Sequence, residues 1–231
     1  MSLTERLGRV LPERVLQIIR PIYYGTVGRV YKIGDAYGII GPDEIYGEQY
    51  YQKRKEGQWR TDAQNIAKAL DNVFSPASVI DLGCAIGMSL EYFYQNGIEV
   101  CGVEGNSMAL EHAVIPSEKI DLHDLREPYH PPKQYDLATC FEVAEHIPAR
   151  FSDELVDSLC RSSNTIVMTA APPGQVGTHH VNLQPREYWI DKFAERGYTH
   201  EKDAVTELRE HISVERMEWI EDNLFVFVAE E

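Results

Sequence analysis

Residues 79–87, VIDLGCAIG, restrict what this chain can fold into more than any other stretch. An apolar strand runs into an acid, Asp81, then into a turn carrying Gly83 and Gly87, and the spacing predicts a helix over 88–95 directly behind it. Glycines there let the backbone bend sharply and approach a ligand. A helix start offers free N–H groups and the positive end of a dipole. Donors and a carboxylate at one strand end suit a nucleoside-bearing cofactor with a charged tail. Gly83, Ala85 and Gly87 fall on alternate positions, so the G-x-G-x-x-G dinucleotide fingerprint is absent. Taken alone, the stretch also fits an ordinary strand-to-helix turn.

More strands follow in a βαβ rhythm. Residues 98–103 (IEVCGV) read as a buried strand ended by Glu104, placed either for ribose hydroxyls or as a solvated turn residue. A helix is expected from 107 to 112, a short strand over 119–122, and strands over 135–140, 164–169 and 224–229. Helices are expected over 61–73 (capped by Thr61), 152–160, 186–196 and within 203–220. Asp124 suits either an adenine amino group or a turn cap. Strands alternating with helices predict an α/β, doubly wound, mostly parallel seven-stranded sheet with helices on both faces.

The motifs VIDLGCAIG, VCGVEGN, HDL and YDLATCFEVAEHI, in that order and spacing, resemble those of the class I S-adenosylmethionine-dependent methyltransferases, a Rossmann-like family. The resemblance runs from about Tyr46 to the C-terminus. It implies that Asp81, Gly83 and Gly87, with Cys84 and Ala85 in the same turn, line the methionine end of the cofactor. It also implies that Glu104 holds the ribose, followed by Gly105 and Asn106, and that Asp124 and Leu125 flank the adenine. Phe141 and Glu142 would close the site beneath the sulfonium, and the product would be S-adenosylhomocysteine. Ala85 departs from a family pattern that often has glycine. The same resemblance makes residues 45–55 (IYGEQYYQKRK) a lid; their own pattern equally fits an amphipathic surface helix.

The segment 170–190, AAPPGQVGTHHVNLQPREYWI, makes a shaped polar loop after the fifth strand. His180 is the candidate general base for a hydroxyl acceptor, with His179 its competitor, Glu142 across the site, and Asn182 orienting acceptor or loop. Both histidines also fit as loop staples. Glu142, Glu145 and His146 form E-x-x-E-H, and with His180 they resemble the metal set of small-RNA 2′-O-methyltransferases and ubiquinone-pathway O-methyltransferases. A magnesium-like ion there would lower the pKa of an acceptor oxygen. HVNLQP and WIEDNLFVF resemble methyltransferases of polysaccharide and sugar modification. Sugar or glycan hydroxyls therefore rank first as acceptors, other small molecules such as phenols or lipids second, and an RNA 2′-oxygen third. A non-catalytic cofactor-binding module is the rival of a different class.

Composition narrows the partners. Net charge −15 over 231 residues argues against a general nucleic-acid binder. The four cysteines form no C-x-x-C pair, which fits reduced thiols in a cytoplasmic protein, and no bilayer-spanning run or leader is visible. Residues 1–33 hold six basic against two acidic side chains. We expect residues 1–45 to be a helical arm and linker that packs, contacts a second copy or touches a membrane surface, and 46–231 to be the catalytic domain.

Overall fold

The computed structural model describes residues 48–175, 177 and 179–230. The N-terminal arm lies outside them. Helices α1 (Glu48–Arg54) and α2 (Gln58–Phe74) lead into β1 (Ser78–Leu82), α3 (Met88–Gln95), β2 (Glu99–Glu104), α4 (Ser107–Glu111), β3 (Ile120–Leu122) and β4 (Leu137–Cys140). Then come α5 (Ser152–Ser162), β5 (Thr165–Thr169), α6 (Arg186–Ala194), β6 (Tyr198–His200), α7 (Lys202–His211), α8 (Trp219–Asn223) and β7 (Leu224–Ala229).

The sheet runs β3-β2-β1-β4-β5-β7-β6. β1 is parallel to β2 and β4, β2 to β3 and β4 to β5, while β7 is antiparallel to both β5 and β6. Strand β1 is buried at every position because helices cover both faces. Alternate residues feed two cores. Ile80 and Leu82 pack with Leu155, Trp189 and Phe193 from α5 and α6. Val79 packs with Ile66, Leu70, Phe93 and Leu208 from α2, α3 and α7. Strand order reverses between β1 and β4, so their carboxyl ends open a crevice.

Three local expectations are corrected. Helix α2 starts at Gln58 behind Gly57, and the Thr61 hydroxyl donates back to the Gly57 carbonyl instead of capping. The stretch 203–220 is two helices with a break between. The strand expected over 135–140 begins at Leu137, Tyr135 making only an isolated bridge to Ser163. No helix among the described residues is long and apolar enough to cross a membrane.

Candidate active site

The glycine turn sits where β1 meets α3. Gly83 has φ +83° and Gly87 +80°, a region that L side chains rarely adopt. A Cβ on Gly83 would lie 2.3 Å from Val143 Cγ2. The residue is glycine because the turn packs against the segment after β4, as well as for its backbone angle. Ala85 takes the same left-handed region at φ 50°. Its N–H donates 2.8 Å to Glu104 Oε2, and Glu104 Oε1 accepts the Asn106 N–H at 2.8 Å. Glu104 thus ties the turn to the tip of β2, while Asn106 caps α4 through Met108 N–H.

A cavity of about 590 Å³ opens over this turn. Of the residues singled out by sequence, Asp81, Gly83, Cys84, Ala85, Phe141, Glu142, His146 and His180 line it. Gly87 sits behind as the α3 cap, and half-buried Gly105 follows Glu104. Leu125 is core, and Asp124 turns its carboxylate to the Arg126 guanidinium and N–H. Burial pulls the Asp124 pKa up, but the bonds from Arg126 outweigh it and leave it lowered. The wall facing the turn comes from Tyr50, Arg54, Trp59, Met217 and Trp219. Beyond the tyrosines and basic run of 45–55 and Trp219, which opens WIEDNLFVF, none of these stood out in sequence; for Trp59 the available signal was that it is one of only three tryptophans.

Asp81 is 5% exposed and accepts from Thr139 Oγ1 at 2.8 Å. Burial, aided by the charge of Glu104 and opposed by Thr139, lifts its pKa to about 7. Glu142, at φ 57°, accepts from Thr169 Oγ1 at 3.0 Å and from Trp219 Nε1 at 2.6 Å. Both Glu145 oxygens are buried with no hydrogen-bond partner among the described residues. Burial and then the Glu142 charge push its pKa to about 8.

The 179–182 segment is laced onto the E-x-x-E-H stretch. The N–H groups of Val181 and Asn182 both donate to the Glu145 carbonyl, at 2.9 and 3.1 Å. The buried Asn182 amide reaches Ala144 O and Ser152 Oγ, so Asn182 orients the loop. His146 Nδ1 lies 3.1 Å from the carbonyl of His179, and His180 Nδ1 lies 3.2 Å from that of Gln175. A carbonyl only accepts, so each Nδ1 carries the proton, and in a neutral ring the lone pair then lies on Nε2. Burial drives the His146 pKa to about 4, so it is neutral at pH 7. His179, at φ 59°, offers its carbonyl to His146 and is absent from the cavity wall. The ligating atoms of Glu145, His146 and His180 lie within 4.8 Å of one another, whereas Glu142 is bound to Thr169 and Trp219.

Residues 51–171 match a family described as a methyltransferase domain. The chain belongs to the class I S-adenosylmethionine-dependent methyltransferases. This methyltransferase is 31% identical over 117 residues to the ubiquinone biosynthesis O-methyltransferase of Stutzerimonas stutzeri (strain A1501), a match covering 48% of the chain and 47% of that protein. It spans about half the length of that relative. Its fold resembles Streptomyces venezuelae DesVI, with a TM-score of 0.59 at 15% identity over 83% of this chain and 99% of the other. The magnesium protoporphyrin IX methyltransferase (ChlM) of Synechocystis PCC 6803 with bound SAH gives a TM-score of 0.56 at 14% identity, over 93% and 100%.

In this methyltransferase the cavity roof hangs on one acid. Asp62, fully buried on α2, accepts the N–H groups of Glu215, Arg216 and Met217 at 3.2, 2.7 and 3.0 Å. That holds Met217 and Trp219 over the site. Asp62→Ala strands three donors, and we expect it to cost about 2–4 kcal/mol in urea unfolding. An unchanged midpoint would refute that anchoring role.

Proposed function

We propose that this methyltransferase binds S-adenosylmethionine over the glycine turn and moves its methyl group to a hydroxyl oxygen of a small molecule, with sugar hydroxyls ranked first. The observation that carries the reading is the pairing of two chemistries in one cavity. The turn and Asp81 line one side, and two imidazoles presenting Nε2 lone pairs converge from the loop after β5 and the segment after β4. The residues fit the cofactor: the turn leaves room for a backbone-close ligand, and Asp81 is a carboxylate with no cation partner among the described residues. When bound, the cofactor supplies an activated methyl group. The chain aligns the acceptor, excludes water with Phe141, Trp59 and Trp219, and takes the acceptor's proton on His180 Nε2.

Methyl-transfer assays on sugars, phenols and RNA test this, alongside S-adenosylhomocysteine titration. Turnover on a small hydroxyl compound is expected. S-adenosylhomocysteine binding with no turnover on any class would leave the non-catalytic module instead.

One observation favours a second reading, in which Glu145, His146 and His180 hold a divalent cation. The Glu145 carboxyl oxygens find no hydrogen-bond partner among the described residues, and with one ring nitrogen each from His146 and His180 they bring three possible ligand atoms within 4.8 Å of one another. An ion there would acidify the acceptor hydroxyl. Manganese titration by calorimetry distinguishes it. No heat of binding, with an unchanged rate in chelator, removes the ion.

A further inference from the structure

Two guanidiniums share one indole that lines the cavity, Arg54 from the cavity wall and Arg216 from the exposed rim outside it. Arg54 Cζ lies 4.8 Å from the Trp59 ring centroid and 3.5 Å from that of Tyr50; Arg216 Cζ lies 4.7 Å from the Trp59 ring. Neither guanidinium has a carboxylate within ion-pairing distance among the described residues. In a chain of net charge −15 this is unusual, because acids are plentiful and two like charges crowded on one ring repel. Arg54 also lines the cavity, and its charge is felt at His146. Asp62 fixes the backbone at Arg216.

We propose that Arg54 and Arg216, on either element flanking Trp59, form a subsite for an anionic group on the acceptor, a phosphate or a carboxylate. The acceptor's ring would stack on Trp219, and its hydroxyl would reach the histidines. The assignment rests on the methyl-transfer reading above. The cofactor does not account for both cations: it brings one carboxylate together with an ammonium and a sulfonium, a net positive charge. Guanidinium forks match carboxylate and phosphate oxygens, and stacking on aromatic rings presets their orientation.

The test titrates the full chain, saturated with S-adenosylhomocysteine, at low ionic strength. The probes are glucose 6-phosphate, galacturonate and 4-hydroxybenzoate, with glucose and phenol as neutral controls. Anionic probes should bind at least about tenfold more tightly than their neutral counterparts. That preference should weaken with salt and collapse in both Arg54→Gln and Arg216→Gln, with S-adenosylhomocysteine affinity held within about twofold. The ratio of phosphate to carboxylate probes identifies which anion is taken. Neutral probes binding as well as anions, no probe binding at all, or a preference surviving both substitutions would overturn the subsite. So would Arg54→Gln weakening the cofactor product alone, which would give Arg54 to the cofactor's carboxylate. Loss of S-adenosylhomocysteine binding by the unsubstituted chain would instead sink the methyl-transfer reading.

Discussion

His180→Ala is expected to lower kcat by about 10²- to 10⁴-fold while leaving S-adenosylhomocysteine affinity within about twofold. The imidazole lines the cavity with Nδ1 tied to Gln175 O, so the group removed is the Nε2 side of the ring, carried by the loop after β5 and not by the glycine turn. The structure supplies a second way to the same end. A Cβ on Gly177 would fall 2.0 Å from His180 Nε2 and 2.2 Å from Cε1. Non-bonded atoms do not tolerate that separation, so Gly177→Ala must displace the ring or the loop from their present placement. Gly177 is exposed, so thermal stability should hold while kcat falls toward the His180→Ala level. Added to His180→Ala, the glycine substitution should do nothing more, because both act through one ring. Full activity in His180→Ala would remove His180 as base. Additive losses would mean that Gly177 serves something else.

Much of this was legible because it is local. VIDLGCAIG folds as a strand, turn and helix from its own glycines and apolar run, and the helix begins at Met88 as its spacing predicts. What sequence missed is set by distant contacts. Strand β6 is three residues long, too short to show an alternation, and exists because β7 pairs with it. The apolar pattern over 203–220 suggested continuous helix, yet the chain breaks after His211 where the Asp62 side chain, about 150 positions earlier, captures three backbone donors. Among the site residues, Asp81 was readable from its strand-end position and Phe141 through the family resemblance, and both line the cavity. Asp124 was readable as one of two alternatives: its carboxylate accepts the Arg126 N–H, the turn-cap role, and its pairing with the Arg126 guanidinium competes with any reach toward a ligand. Trp59 and Trp219 meet at 6.3 Å between ring centroids from elements 160 positions apart, which no local pattern records.

Asp81 carries the second large expectation, which concerns pH. Enclosed at the end of β1, its carboxyl titrates near 7 because burial disfavours the charged form. A cationic ammonium beside it needs the ionised form. Binding therefore selects the carboxylate, and affinity falls as pH drops through about 7, approaching tenfold per unit below that point. S-adenosylhomocysteine titrated by calorimetry at pH 5.5, 6.5 and 7.5 should weaken steadily toward acid and release a proton on binding, seen as a dependence of the heat on buffer. The stability of the free protein is expected to follow the opposite trend. A carboxyl whose folded pKa lies above its unfolded value contributes stability in full below about pH 4 and loses it as pH rises through about 7. Asp81→Asn should flatten both profiles and weaken binding about 10- to 100-fold at pH 7.5. Two more acids near the cavity have raised pKa values: Glu142 through burial, and Glu145, lifted to about 8 by burial and then by the Glu142 charge rather than by Asp81. Glu145→Gln should therefore leave the acid-side slope of binding intact. A flat profile in the unsubstituted protein, or a slope that survives Asp81→Asn but vanishes in Glu145→Gln, would move the cofactor's ammonium away from β1. In that event the carboxylate at the strand end would be only a structural partner of Thr139.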